Sequence, residues 1–93
     1  MARSLLTEEE ISLHLPELKG WSRTGSEIRK KIECADFVRA MGFVNSVALL
    51  AERINHHPDI DIRWNKVTLA LSTHSAGGLT DLDFTLARLI DQL

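Results

Sequence analysis

The sequence predicts an α+β fold: a four-stranded antiparallel sheet with three helices packed on one face, in the order α-β-β-α-β-β-α. Three observations carry it. Two segments alternate apolar and polar residues and double back through short turns, which makes antiparallel hairpins. Three other segments repeat apolar residues at helical spacing and open on capping residues. The chain has 93 residues, within reach of a domain of about 100–150. Residues 1–93 are therefore expected to form one unit, too short for a catalytic cleft between two domains. Gathering the helices on one side is the simplest way for two hairpins to bury one sheet face.

The first helix starts at Thr7, an N-cap with Glu10 placed to close a capping box and Leu6 and Ile11 placed as a hydrophobic staple. Glu8 and Glu9 add negative charge where the helix dipole is positive. Pro16 and Gly20 end it. The first hairpin runs from Trp21 to Arg23, turns at Thr24-Gly25-Ser26 and returns over Glu27 to Ala35. Ile28, Ile32 and Cys34 share one face, which Lys30 interrupts.

Asp36 caps a long second helix expected to reach about Ile54. Phe37, Met41, Val44, Ala48 and Ala51 form one stripe, and Ala40, Val47, Leu50 and Ile54 an adjoining one. So wide an apolar surface exceeds what one sheet face covers. The surplus around Phe43, Val47 and Leu50 is expected to face another subunit.

Ile60, Ile62 and Trp64, then Val67, Leu69 and Leu71, alternate with period two. A turn at Asn65-Lys66 would pair Trp64 with Val67 and Ile62 with Leu69, placing all six on the buried face. The last helix opens at Thr80 as N-cap with Asp83 three residues on, and buries Leu82, Leu86, Leu89 or Ile90, and Leu93.

Composition narrows the function classes. A net charge of −2 gives no bulk attraction to nucleic acid or an anionic membrane. Five aromatic residues and no tyrosine are too few for a base-stacking surface. A lone cysteine, Cys34, excludes an internal disulfide and suits a reducing compartment. Three glutamates within the first ten residues break any leader-like apolar stretch. The longest apolar run, 47–51, is far below the roughly 18 residues of a membrane span. A cytoplasmic protein is the expectation.

Histidines carry the candidate chemistry. His56-His57-Pro58 follows directly on the long helix, and His74 ends the last strand before Gly77-Gly78. Extending the expected register sets His57 opposite His74, so a helix end and a strand end meet at one edge of the sheet. Imidazoles gathered there titrate near neutrality and suit general acid–base work. A polar helix terminus and an exposed strand end account for the same residues without catalysis. Zinc is less favoured, because neighbouring side chains seldom aim at one ion and no helical His-x-x-x-His spacing occurs. Glu52 lies one helical turn before His56 and could orient it. Asp83 has a sufficient role as a helix-start acid, His14 is taken as surface, and Gly77-Gly78 as a turn rather than a phosphate loop.

Taken together, Glu52-x3-His56-His57-Pro58, Trp64, His74 and Asp83 at these gaps closely resemble the pterin-4a-carbinolamine dehydratase family. Trp64 stands where the family more often carries tyrosine. The resemblance implies dehydration of a 4a-hydroxytetrahydropterin to the quinonoid dihydropterin and water, recycling the cofactor of aromatic amino-acid hydroxylases. It implies no metal and no cofactor, the pterin being the substrate. By motif, His56, His57 and His74 surround the pterin, while Pro58, Thr73, Ser75 and Ala76 shape its pocket. His56 and His74 would share the acid and base roles, His57 would orient the substrate, and Glu52 and Asp83 would support the histidines. It also implies a homodimer or homotetramer. The alternative is a non-catalytic binding module, since some animal relatives act as dimerisation partners and coactivators of a homeodomain transcription factor.

Overall fold

The computed structural model describes residues 4–93; the first three residues of the N-terminal stretch read above lie outside them. Helix α1 (Glu8–His14) is followed by a 3-10 turn at Leu15–Glu17 that contains Pro16. Strands β1 (Ser22–Thr24) and β2 (Glu27–Glu33) precede helix α2 (Phe37–Ile54). Strands β3 (Asp59–Arg63) and β4 (Lys66–Leu71), a 3-10 turn at His74–Ala76 and helix α3 (Asp81–Asp91) complete the order. All pairings are antiparallel, and the strands lie in the order β1-β2-β4-β3. The order α-β-β-α-β-β-α is the expected one.

Local chemistry explains the boundaries. At α1 the capping box closes in both directions: Thr7 Oγ1 accepts from Glu10 N, and Glu10 Oε1 accepts from Thr7 N. Asp36 Oδ1 accepts from Arg39 N at 2.8 Å to start α2. That helix stops at a left-handed Asn55, where His56 N donates to Ala51 O and Asn55 N donates to Glu52 O. These two bonds form a Schellman motif, which turns the chain sharply out of the helix.

One face of the sheet, with Ile28, Val67, Leu69 and Leu71, forms a core with Ile11 of α1, Val47 and Ala51 of α2, and Leu86 and Ile90 of α3. The opposite face carries Arg29, Lys31, Asp61, Arg63, Lys66 and Thr68 around an open hollow. Lys30, which interrupts the apolar row of β2, keeps its place by spanning the edge of the core. Its ammonium donates to Asp91 Oδ1 at 2.9 Å and lies 5.9 Å from the centre of the Trp21 ring. Trp21 Nε1 donates to the same carboxylate, so α3 is tied at its end to the first hairpin.

Four expectations are corrected. The second hairpin turns at Trp64-Asn65, not Asn65-Lys66, and pairs Ile62 with Val67 and Ile60 with Leu69. Asn65 is drawn into the adjacent strand: its Nδ2 donates to Cys34 O, and its carbonyl accepts from Cys34 N. Trp64 is therefore a turn residue with φ +53°, 66% exposed, rather than part of the core. Val47 is fully buried in the chain's own core, not surplus surface, and the large apolar residues that α2 exposes are Phe37, Val38 and Leu49. Leu93 is exposed, and α3 buries Phe84, Leu86, Ala87 and Ile90.

Candidate active site

The C-terminus of α2, the loop after β4 and the N-terminus of α3 converge on one carboxylate. Asp83 is fully buried, and its two oxygens serve different elements. Oδ1 lies 2.6 Å from His56 Nε2, in the chain that leaves α2. Oδ2 accepts from Thr80 N and from Thr73 Oγ1, each at 2.9 Å. The hydroxyls of Thr73 and Thr80 are 2.7 Å apart. The expected helix-start role of Asp83 is real, since the box with Thr80 is closed, but it uses only half of the carboxylate. A buried acid needs such partners, because an unpaired charge there would be costly.

The Schellman turn separates the two adjacent histidines. His56 folds inward and is 8% exposed, whereas His57 is exposed and its Nε2 lies 2.7 Å from Glu52 Oε1. Glu52 thus partners His57 and not His56. One-turn spacing on a helix applies only while the helix continues, and this one has ended before His56.

His74 and Ser75 are exposed in the 3-10 turn, next to half-buried Ala76. Thr73 N donates to Gly78 O, and Thr73 O accepts from Ala76 N and Gly77 N, so its backbone is engaged within the loop. Gly77 closes this loop with φ +82°, a conformation that L side chains rarely adopt. Beside it, a Cβ on Gly78 would come within 3.2 Å of Leu5 Cδ2.

The observed register sets His57 towards Ser72 rather than His74. What joins the two segments is the Asp83 carboxylate, which binds His56 on one side and Thr73, the neighbour of His74, on the other. Pro58 is half-buried immediately before β3. His14, expected as plain surface, is half-buried, with Nδ1 3.0 Å from Glu17 Oε1 and its ring 6.3 Å from that of Phe84. Among the described residues, no group of three or more His, Cys, Asp or Glu is arranged to hold a metal ion. Thr80 is a member of this network that sequence reasoning saw only as a cap. Its bond to Thr73 spans the Gly77-Gly78 loop, and no periodic pattern signals it.

A family model described as pterin 4 alpha carbinolamine dehydratase matches residues 4–93. The chain belongs to the pterin-4a-carbinolamine dehydratase family. Within this dehydratase family, a Roseiflexus castenholzii protein, named as a provisional pterin-4-alpha-carbinolamine dehydratase, is 57% identical over 90 residues, covering 97% of each chain. A Brucella melitensis crystal structure, described as a transcriptional coactivator/pterin dehydratase, superposes with a TM-score of 0.92 at 36% identity. It covers 96% of this chain and 97% of its own. A pterin dehydratase-like protein described as a RuBisCO assembly factor of the alpha-carboxysome shares the fold, with a TM-score of 0.63 at 18% identity. That match covers 77% of this chain and 83% of the other. Among the described residues, no helix is long and apolar enough to cross a membrane.

Proposed function

We propose that this chain dehydrates a 4a-hydroxytetrahydropterin, such as 4a-hydroxytetrahydrobiopterin, to the quinonoid dihydropterin and water, recycling the pterin of an aromatic amino-acid hydroxylase. The observation that carries the reading is the Asp83 carboxylate that links His56 to the segment bearing His74. The reaction needs two proton movements: the 4a-hydroxyl leaves well only when protonated, and the N5 proton must depart. A neutral imidazole serves one and an imidazolium the other. His56 and His74 take these roles, and His57, held by Glu52, orients the ring. Pro58, Thr73, Ser75 and Ala76 form the walls of the pterin pocket. Neither metal nor cofactor enters this scheme. Stopped-flow absorbance of carbinolamine breakdown tests it: the expected result is acceleration by the protein, and a rate equal to that in buffer overturns it.

A second reading, association through α2, is favoured by the exposure of Phe37, Val38 and Leu49 on one helix. A homodimer or homotetramer covers that surface most simply, and partnership with another protein, as in a coactivator, is the alternative. Light scattering of the pure chain decides: a monomer at micromolar concentration rules out the homo-oligomer.

A further inference from the structure

The Asp83 network has a direction. A threonine hydroxyl has one proton to donate, and that of Thr73 goes to Asp83 Oδ2, which can only accept when ionised. In the 2.7 Å contact between Thr73 and Thr80, Thr80 must therefore be the donor. Thr80 Oγ1 in turn accepts from Leu82 N at 3.3 Å. Donors thus run from the α3 backbone through Thr80 and Thr73 to Asp83, and Thr80 N adds another to the same oxygen. With Oδ2 taking donors from Thr73 Oγ1 and Thr80 N, the ionised Asp83 presents Oδ1 to His56 as an acceptor. A carboxylate oxygen only accepts, so the hydrogen of this 2.6 Å contact is the one on His56 Nε2.

We infer that Thr80 is a positioning residue: through Thr73 and Asp83 it locks His56 as the Nε2–H tautomer and leaves Nδ1 as the nitrogen that takes a proton. The inference rests on the proposed dehydration and assigns one of its steps. Nδ1 accepts the N5 proton as the C4a–O bond breaks and the C4a=N5 bond forms. A proton delivered to the departing oxygen by a second acid completes the water. The imidazolium left behind is balanced by the Asp83 carboxylate beside it. Setting a tautomer through the nitrogen that faces away from the reaction is a general way of orienting a working imidazole.

The test reads the ring directly. In the full chain labelled with 15N-histidine, two-bond 1H–15N spectra of the neutral ring are expected to show His56 protonated at Nε2. Thr80→Val is expected to narrow the 15N separation of that ring and lower kcat roughly tenfold with KM unchanged, the low end for outer partners of a working imidazole by analogy with metal sites. Thr80→Ser, which keeps the hydroxyl, is expected to restore both. A proton on Nδ1 of His56 overturns the inference even in an active enzyme, and so does a Thr80→Val ring spectrum identical to wild type. The wild-type spectrum needs no variant to fold and does not depend on turnover. An Nε2–H ring in a protein without dehydratase activity overturns the functional reading and not the tautomer.

Discussion

Asp83 Oδ1 lies 2.6 Å from His56 Nε2, and both side chains are withdrawn from solvent. Asp83→Asn keeps the shape and removes the charge. Its amide cannot accept from His56, Thr73 and Thr80 at once, so at least one buried donor loses its partner. Each such loss costs about 1–3 kcal/mol. Urea melts are expected to show a destabilisation of that order, together with a fall in dehydration rate. Unchanged stability would mean that the network reorganises around the amide.

His74 is exposed, so its replacement separates chemistry from folding. His74→Ala is expected to lower the dehydration rate by roughly 10²–10⁴-fold while stability stays within about 0.5 kcal/mol. Stopped-flow rates and thermal melts measure the two. A wild-type rate would remove His74 from the acid–base pair.

Glu52 and His57 form an exposed pair. Such pairs contribute about 0–1 kcal/mol, so Glu52→Gln is expected to leave the fold intact. Its effect belongs on KM, through a less well oriented His57. Steady-state kinetics check this: a fall in kcat alone would place Glu52 in the chemical step.

Trp64 takes φ +53° at the first position of a two-residue turn, where type II′ hairpins prefer glycine. A non-glycine residue there costs roughly 1–2 kcal/mol, and this ring, being exposed, recovers little by burial. Trp64→Gly is expected to raise stability by up to about 1 kcal/mol, and Trp64→Ala to give no gain. Denaturant midpoints distinguish them. Destabilisation by glycine would show that the ring, with Lys66 5.9 Å from its centre, contributes more than the strain removes.

At the other side of the molecule, the Arg23 guanidinium donates to Glu8 and holds that carboxyl below the usual glutamate range, chiefly through the hydrogen bond. A carboxyl lowered in the folded state stabilises above its unfolded pKa, and the effect fades as pH falls through the lowered value. Glu8→Gln is therefore expected to be less stable than wild type at neutral pH and to match it in acid. Melts across that range test the sign.

Much of this architecture is legible residue by residue. Thr7 with Glu10, Asp36, and Thr80 with Asp83 mark three helix starts through local bonds that depend on neighbours alone. The hairpin register escapes for a different reason. A slip of two residues keeps every side chain on its own face, so alternation cannot distinguish Ile62–Leu69 from the observed Ile62–Val67. The long-range contact of Asn65 with Cys34 distinguishes them. In the site, the residue types and their spacing are readable, but the pairing of carboxylates with histidines is not. It depends on where α2 stops, and the left-handed Asn55 determines that.

Neighbours in a chain ordinarily share their surroundings. At Asn55 a single reversal of backbone handedness cancels that rule and divides two identical side chains between a dry compartment and a wet one. Chemically equivalent rings one peptide apart then meet different carboxylates, Asp83 for His56 and Glu52 for His57. One amino-acid type is thus given two surroundings, and the distinction between them is written in a dihedral angle.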